Sequence, residues 1–169
     1  MSSPMPGRSA ATGAAALPTD ATALLAQDHQ EVRALFQQYE RSAQGGPGAS
    51  HRQGLAERIC TMLETHTRLE EELFYPEARA AGVDAALLDE AEAEHASAKT
   101  LIGRLRAGLP DETDRDATVT ELSEAIEHHV QEEENELFPQ CRGAGMDLDD
   151  LGRRLAERRQ ALVAQRGRQ

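Results

Sequence analysis

Four histidines, His29, His66, His95 and His129, fall on the apolar stripes of four successive helix-length segments. One imidazole on such a face is ordinarily a core residue with a hydrogen-bond partner. Four of them, one per segment, make a larger demand. Each buried ring loses its water and needs partners for two nitrogens. Metal coordination satisfies one nitrogen of each ring. Two of the four carry a glutamate four residues later, His66 with Glu70 and His129 with Glu133. Four residues advance about 400° around a helix, so both side chains share a face. A surface ion pair is the usual meaning of that spacing. Here Leu63, Leu69 and Leu73 flank the first pair, and Ile126, Val130 and Leu137 flank the second. The glutamates are therefore expected inside, where a carboxylate without a cation is expensive. Mixed imidazole and carboxylate donors suit iron, and manganese or zinc can occupy such sites.

The elements that must position these groups are helices. Thr19 and Asp20 offer N-caps for a helix over 20–43, with the stripe Leu25, His29, Val32, Phe36, Tyr39. After the break at Gly45-Gly46-Pro47-Gly48, Ser50 and Gln53 read as a capping box for a second helix. Its stripe runs from Leu55 through Ile59, Leu63 and His66 to Leu73, and Pro76 is expected to disturb its end. Asp84 caps a third helix over 85–107, stopped by Gly108 and Pro110. A fourth spans 114–138, with Pro139 disturbing its end, and a short Arg-rich fifth spans 147–165. Four long helices with short connections predict an all-α, antiparallel up-down-up-down bundle over 19–145. Residues 1–18, rich in Ser, Pro, Gly and Ala, are expected to be a disordered leader, and 146–169 a C-terminal helix and tail.

Helices two and four echo each other. His66 precedes Pro76 by ten residues, through Glu70-Glu71-Glu72-Leu73-Phe74-Tyr75-Pro76. His129 precedes Pro139 by ten, through Glu133-Glu134-Asn135-Glu136-Leu137-Phe138-Pro139. The echo selects His129 over His128, which is expected in solvent, as is His51. Glu71, Glu72, Glu132 and Glu134 point about 100° or more from the ligand face and read as a solvated face. Glu136, seven residues past His129, returns towards that face and reads as an outer or access residue.

With these residues in place, the sequence resembles the hemerythrin-like family, the HHE cation-binding domain, over about residues 20–142. The resemblance rests on Asp28-His29, His66 with Glu70, His95, and His129 with Glu133. It implies a four-helix bundle around a non-heme di-iron centre with an oxo or hydroxo bridge. Glu70 and Glu133 would bridge the irons and the four histidines would be terminal ligands. Ferritin-like bundles need two Glu-x-x-His motifs; here only Glu92 to His95 has that spacing near a stripe, and Glu92 lies off it. Oxygen-carrying hemerythrins have a fifth histidine one turn after the helix-three histidine. That position is Lys99, the single lysine of the chain, and an ammonium has no lone pair to offer. Lys99 is expected to lead its charge out to solvent, the alternative being a donor near the cluster. Each iron is left about one position short, which favours small ligands that bind or react, O2, NO or peroxide, over reversible oxygen carriage.

Composition narrows the rest. The 169 residues carry 18 basic against 30 acidic side chains, net -12, which excludes a phosphate-binding face for nucleic acid. Of these, 147–169 holds six basic and four acidic, so the last helix is expected to lie on an acidic bundle surface. Aromatic content of 3% disfavours a β-sandwich. No apolar run is long enough to span a membrane. Cys60 and Cys141 fit free thiols in a reducing, cytoplasmic setting. Three functions follow: a binding or sensing protein for a small oxidant or diatomic ligand, a peroxide-degrading (catalase- or peroxidase-like) enzyme, or an iron store without turnover.

Overall fold

Asp20 accepts a hydrogen bond from the Ala23 backbone N–H at 3.1 Å, and helix α1 (Ala21–Ala43) runs from there. The computed structural model describes residues 20–46, 48–108 and 111–168, so the expected leader and Thr19 lie outside the described residues. Helix α2 covers Ala49–Leu69, α4 Ala85–Arg106 and α5 Glu112–Glu132. Two short helices continue α2 and α5: α3 (Tyr75–Ala80) and α6 (Phe138–Gly143). Helix α7 (Leu148–Arg166) completes the chain order, N-capped by Asp147. No strand occurs among the described residues. The chain forms the antiparallel four-helix bundle with a C-terminal fifth helix. Helix α1 packs on α2 and α4 on α5, while α2 on α4 and α1 on α5 close the ring.

Two local expectations change. Ser50 and Gln53 form no capping box: α2 starts at Ala49, with Gly48 as an extended N-cap lacking a side-chain bond, so both residues lie inside the helix. The fourth helix starts two residues before 114, because Asp111 accepts from the Asp114 N–H at 2.8 Å. Pro76 and Pro139 disturb their helices, as expected, and neither ends its rod. Each follows a π-helical turn, Glu70–Phe74 and Glu133–Leu137, after which the rod continues. Proline has no N–H to give to the carbonyl four residues back. The turn resolves this by shifting the register: Tyr75 N–H bonds Glu70 O, and Phe138 N–H bonds Glu133 O, five residues back. The first rod ends at Gly82, whose φ of 82° lets Val83 N–H reach back to Ala78 O at 3.1 Å.

The apolar core is split into two halves. One gathers Leu25, Leu69, Phe74, Phe138 and the leucines of α7. The other gathers Val32, Phe36, Ile59, Leu63, Leu122 and Ile126. The histidines and the two glutamates lie on the same rods between these halves. Helix α7 closes the first half from outside with Leu148, Leu151, Leu155 and Leu162, all buried. Its arginines meet acidic partners as its charge suggests: Arg158 Nε donates to Glu72 at 2.6 Å and Arg154 to Glu77 at 2.7 Å.

Candidate metal centre

The π turns begin at the two glutamates that follow the helix-two and helix-four histidines. Glu70 is 0% exposed and Glu133 1%, and His29, His66, His95 and His129 are all 5% or less. All six residues expected as ligands therefore meet in one buried layer. His29 Nε2 and His66 Nε2 stand 3.2 Å apart, as do His95 Nε2 and His129 Nε2. The carboxylates link these pairs. Glu70 places Oε1 3.1 Å from His66 Nε2 and Oε2 3.1 Å from His95 Nε2. Glu133 Oε2 lies 3.3 Å from His29 Nε2 and 3.5 Å from His129 Nε2. Two positions follow, one between His29 and His66 and one between His95 and His129, each touched by both glutamates.

Each outer ring nitrogen meets its own carboxylate. His29 Nδ1 lies 2.9 Å from Glu134, His66 Nδ1 3.1 Å from Asp28, His95 Nδ1 3.0 Å from Glu71 and His129 Nδ1 2.7 Å from Glu94. A carboxylate only accepts, so each Nδ1 carries the proton and each Nε2 turns a lone pair inward. Two facing lone pairs at 3.2 Å repel unless a cation or proton lies between them. Nitrogen ligands at roughly 2.1 Å in adjacent positions on one metal stand roughly 3 Å apart. Glu70 Oε1 and Glu133 Oε2 are moreover buried without a hydrogen bond. The donor set thus fits two divalent cations, and His29, His66, Glu70 and Glu133 form one potential metal-holding group, Glu70, His95 and His129 the next.

Charge points the same way. Burial opposes the His66 imidazolium, yet Glu70 and Asp28 outweigh it and raise its pKa to about 10. Burial likewise opposes His129, but Glu133 and Glu94 raise it to about 9. Burial pushes Glu70 up, and His66 and His95 reverse this, holding it well below its ordinary value. Protons hold these carboxylates' charge in check when no metal does.

A two-fold pattern runs through the outer groups. The residue before the α1 histidine, Asp28, serves the α2 histidine, and the residue before the α4 histidine, Glu94, serves the α5 histidine. The residues after Glu70 and Glu133, namely Glu71 and Glu134, serve the α4 and α1 histidines. Glu71 and Glu134 are therefore not merely a solvated face; both are half-buried and reach rings on neighbouring helices. An arginine or lysine grips three of these carboxylates from outside, and a surface imidazole stands beside the fourth. Arg159 donates to Asp28 at 2.5 Å, and Lys99 to Glu71 at 2.6 Å. Arg33 Nη1 lies 3.6 Å from Glu134, and His128 Nε2 3.4 Å from Glu94. Lys99 does carry its charge outward, its side chain 48% exposed, but it stops on Glu71. Its counterpart is Arg33, four residues after His29 as Lys99 is after His95.

Sequence reasoning assigned no role to Tyr75. Its Oη donates to Glu133 Oε1 at 2.7 Å and lies 3.3 Å from Glu70 Oε2 and 3.2 Å from His95 Nε2. Burial and the two carboxylates raise its pKa well above the ordinary value. The signal was in the echo: Tyr75 aligns with Phe138, which instead stacks on His29 at 5.8 Å. Glu94 was missed too, and only its place before His95, matching Asp28 before His29, could have revealed it. Glu136 is exposed and takes no part, because the π turn breaks the seven-residue return it relied on. His51, His128 and Glu92 are exposed, as expected. Cys60 and Cys141 are free and buried, and burial raises both thiols to about 11, so neither has the exposed, activated setting of a redox cysteine.

Among curated proteins none matches the chain. A similar solved structure is the crystal structure of a hemerythrin HHE cation binding domain-containing protein from Mycobacterium kansasii. The TM-score is 0.72 at 23% identity, over 86% of this chain and 88% of that one, which establishes the shared fold. The family model for the hemerythrin HHE cation binding domain matches residues 20–141, from the cap of α1 into α6. With that match spanning the whole ligand layer, the chain belongs to the hemerythrin HHE cation-binding domain family.

Proposed function

We propose that the protein holds two non-heme iron ions in this layer and uses them to bind or react with a small oxidant or diatomic ligand, O2, NO or peroxide, in an oxygen, redox or nitrosative response. The observation that supports this most is a small cavity of about 10 Å³ lined by all four histidines together with Val32, Met62 and Ile126. That volume suits one molecule the size of water or a diatomic gas. When bound, the iron supplies Lewis acidity and a change of redox state. The chain supplies the rest. The four outer carboxylates hold the rings in one tautomer, and the apolar walls exclude bulk water. Tyr75 keeps its phenolic proton on Glu133 Oε1.

Tyr75 also favours a second reading, a peroxide-degrading enzyme. A phenol that stays protonated beside the ligand layer is placed to give a hydrogen bond or a proton to an oxygen that arrives there. The protein's net charge and its buried free thiols support a cytoplasmic protein that binds neither nucleic acid nor membrane. None of the described helices is long and apolar enough to cross a membrane. The test is iron-loaded protein mixed separately with O2, NO and peroxide while its absorption spectrum is followed. Spectral change with at least one ligand is expected, and indifference to all three would overturn the proposal. Sustained O2 release from peroxide selects the enzyme; a single stoichiometric change selects the sensor.

A further inference from the structure

The small cavity among the histidines shares part of its lining with the protein surface. On the outer face of α1 and α2, beside α7, lies an open groove of about 690 Å³. Three residues, Asp28, Met62 and His66, line both the groove and the small cavity. The wall between solvent and the ring nitrogens is therefore one side chain thick at this point. Two of the three are fixed. His66 Nδ1 is tied to Asp28 at 3.1 Å, and Asp28 is tied to Arg159 at 2.5 Å. Met62 has only packing to hold it. It is partly buried against the second core half, and its unbranched thioether chain has three rotatable bonds. A groove of about 740 Å³ between α1 and α5 also borders the cavity, but only through Ile126. Ile126 is 4% exposed and branched at Cβ, which stiffens its first torsion.

We infer that small ligands reach the metal layer from the α1–α2–α7 groove past Met62, and that the Met62 side chain sets their rate of passage. This rests on the small-ligand function proposed above. The groove also suits the ligand class by charge. Arg58, Arg159 and Arg166 stand there against Asp28, Glu31 and Glu57. On a protein of net charge -12 this is a locally balanced mouth, open to neutral and singly negative molecules. The size of the small cavity restricts passage to molecules of two or three heavy atoms.

The experiment is stopped-flow mixing of NO with the iron-loaded, reduced full-length protein, comparing wild type with Met62→Ala, Met62→Phe and Ile126→Ala. Iron content and the unliganded spectrum of each variant establish that the site is intact. Met62→Ala is expected to accelerate NO association fivefold or more and Met62→Phe to slow it by a similar factor, while Ile126→Ala stays within twofold. If wild type responds but both Met62 variants stay within twofold of it, or Ile126→Ala accelerates as much as Met62→Ala, the passage lies elsewhere. If wild type shows no spectral response to NO, the small-ligand function fails for NO and the gate fails with it. Should Met62→Phe lose iron, the acceleration by Met62→Ala, measured against Ile126→Ala, decides alone.

Discussion

Tyr75 donates from Oη to Glu133 Oε1 at 2.7 Å, reaching from the rod that carries His66 and Glu70 to the glutamate on the rod that carries His129. Phe138, its counterpart, has no hydroxyl to offer and stacks on His29. The two candidate positions share ligand types and outer carboxylates, yet among the described residues a phenol stands only at the His95–His129 side. Tyr75→Phe removes that proton and little volume. It is expected to leave two metal ions per chain while slowing reaction with peroxide by about 10²-fold or more, the usual scale for losing a positioned acid. Metal analysis beside peroxide kinetics checks this; an unchanged rate would make Tyr75 a packing residue.

The outer carboxylates should matter more than the cations that grip them. Glu71→Gln or Glu134→Gln weakens the orientation of His95 or His29 and is expected to lower metal affinity about 10- to 100-fold. Lys99→Met and Arg33→Met leave the carboxylate on its histidine, so each should weaken binding by less than its glutamate variant. Competition against a chelator measures all four. A Lys99→Met loss equal to that of Glu71→Gln would contradict this order.

Metal uptake should expel protons. With no metal bound, His66 titrates at about 10 and His129 at about 9, both above the ordinary 6.5. A raised folded-state pKa gives stability that is full below about pH 6.5 and is lost as pH rises through 9 and 10. Metal-free protein should therefore lose denaturant resistance over that upper range. Binding at pH 7 should release about two protons per chain, because His66 and His129 must each give up an Nε2 proton to ligate. Titrating zinc into weakly buffered metal-free protein reads the release, and a pH change near zero would contradict it.

The ligand residues were legible because burial made them so. Four histidines on apolar stripes, and glutamates a helical turn later among leucines, are expensive to bury without a cation or protons. The outer layer was not legible, because Glu71 and Glu134 sit on the solvent side of any straight α-helix drawn from the spacing. They reach rings on neighbouring helices, as Asp28 and Glu94 do from plain α-helical positions, and spacing along one helix does not show that contact. Glu136 failed because the π turn breaks its seven-residue return. Tyr75 was hidden by its type: an aromatic at a stripe's end reads as core, and the meaning of its hydroxyl depends on Glu133, a residue 58 positions away.

The central claim is that six side chains hold two irons. Anaerobic loading with ferrous iron, desalting and metal analysis test it in wild type, His66→Ala and Glu133→Ala. Removing one group strands its buried partners, at about 3–5 kcal/mol where a charge loses its mate. Wild type is expected to retain two irons per chain, and each variant one or none, with a lowered melting temperature. Two irons per chain in either variant, or none in wild type, would contradict the assignment.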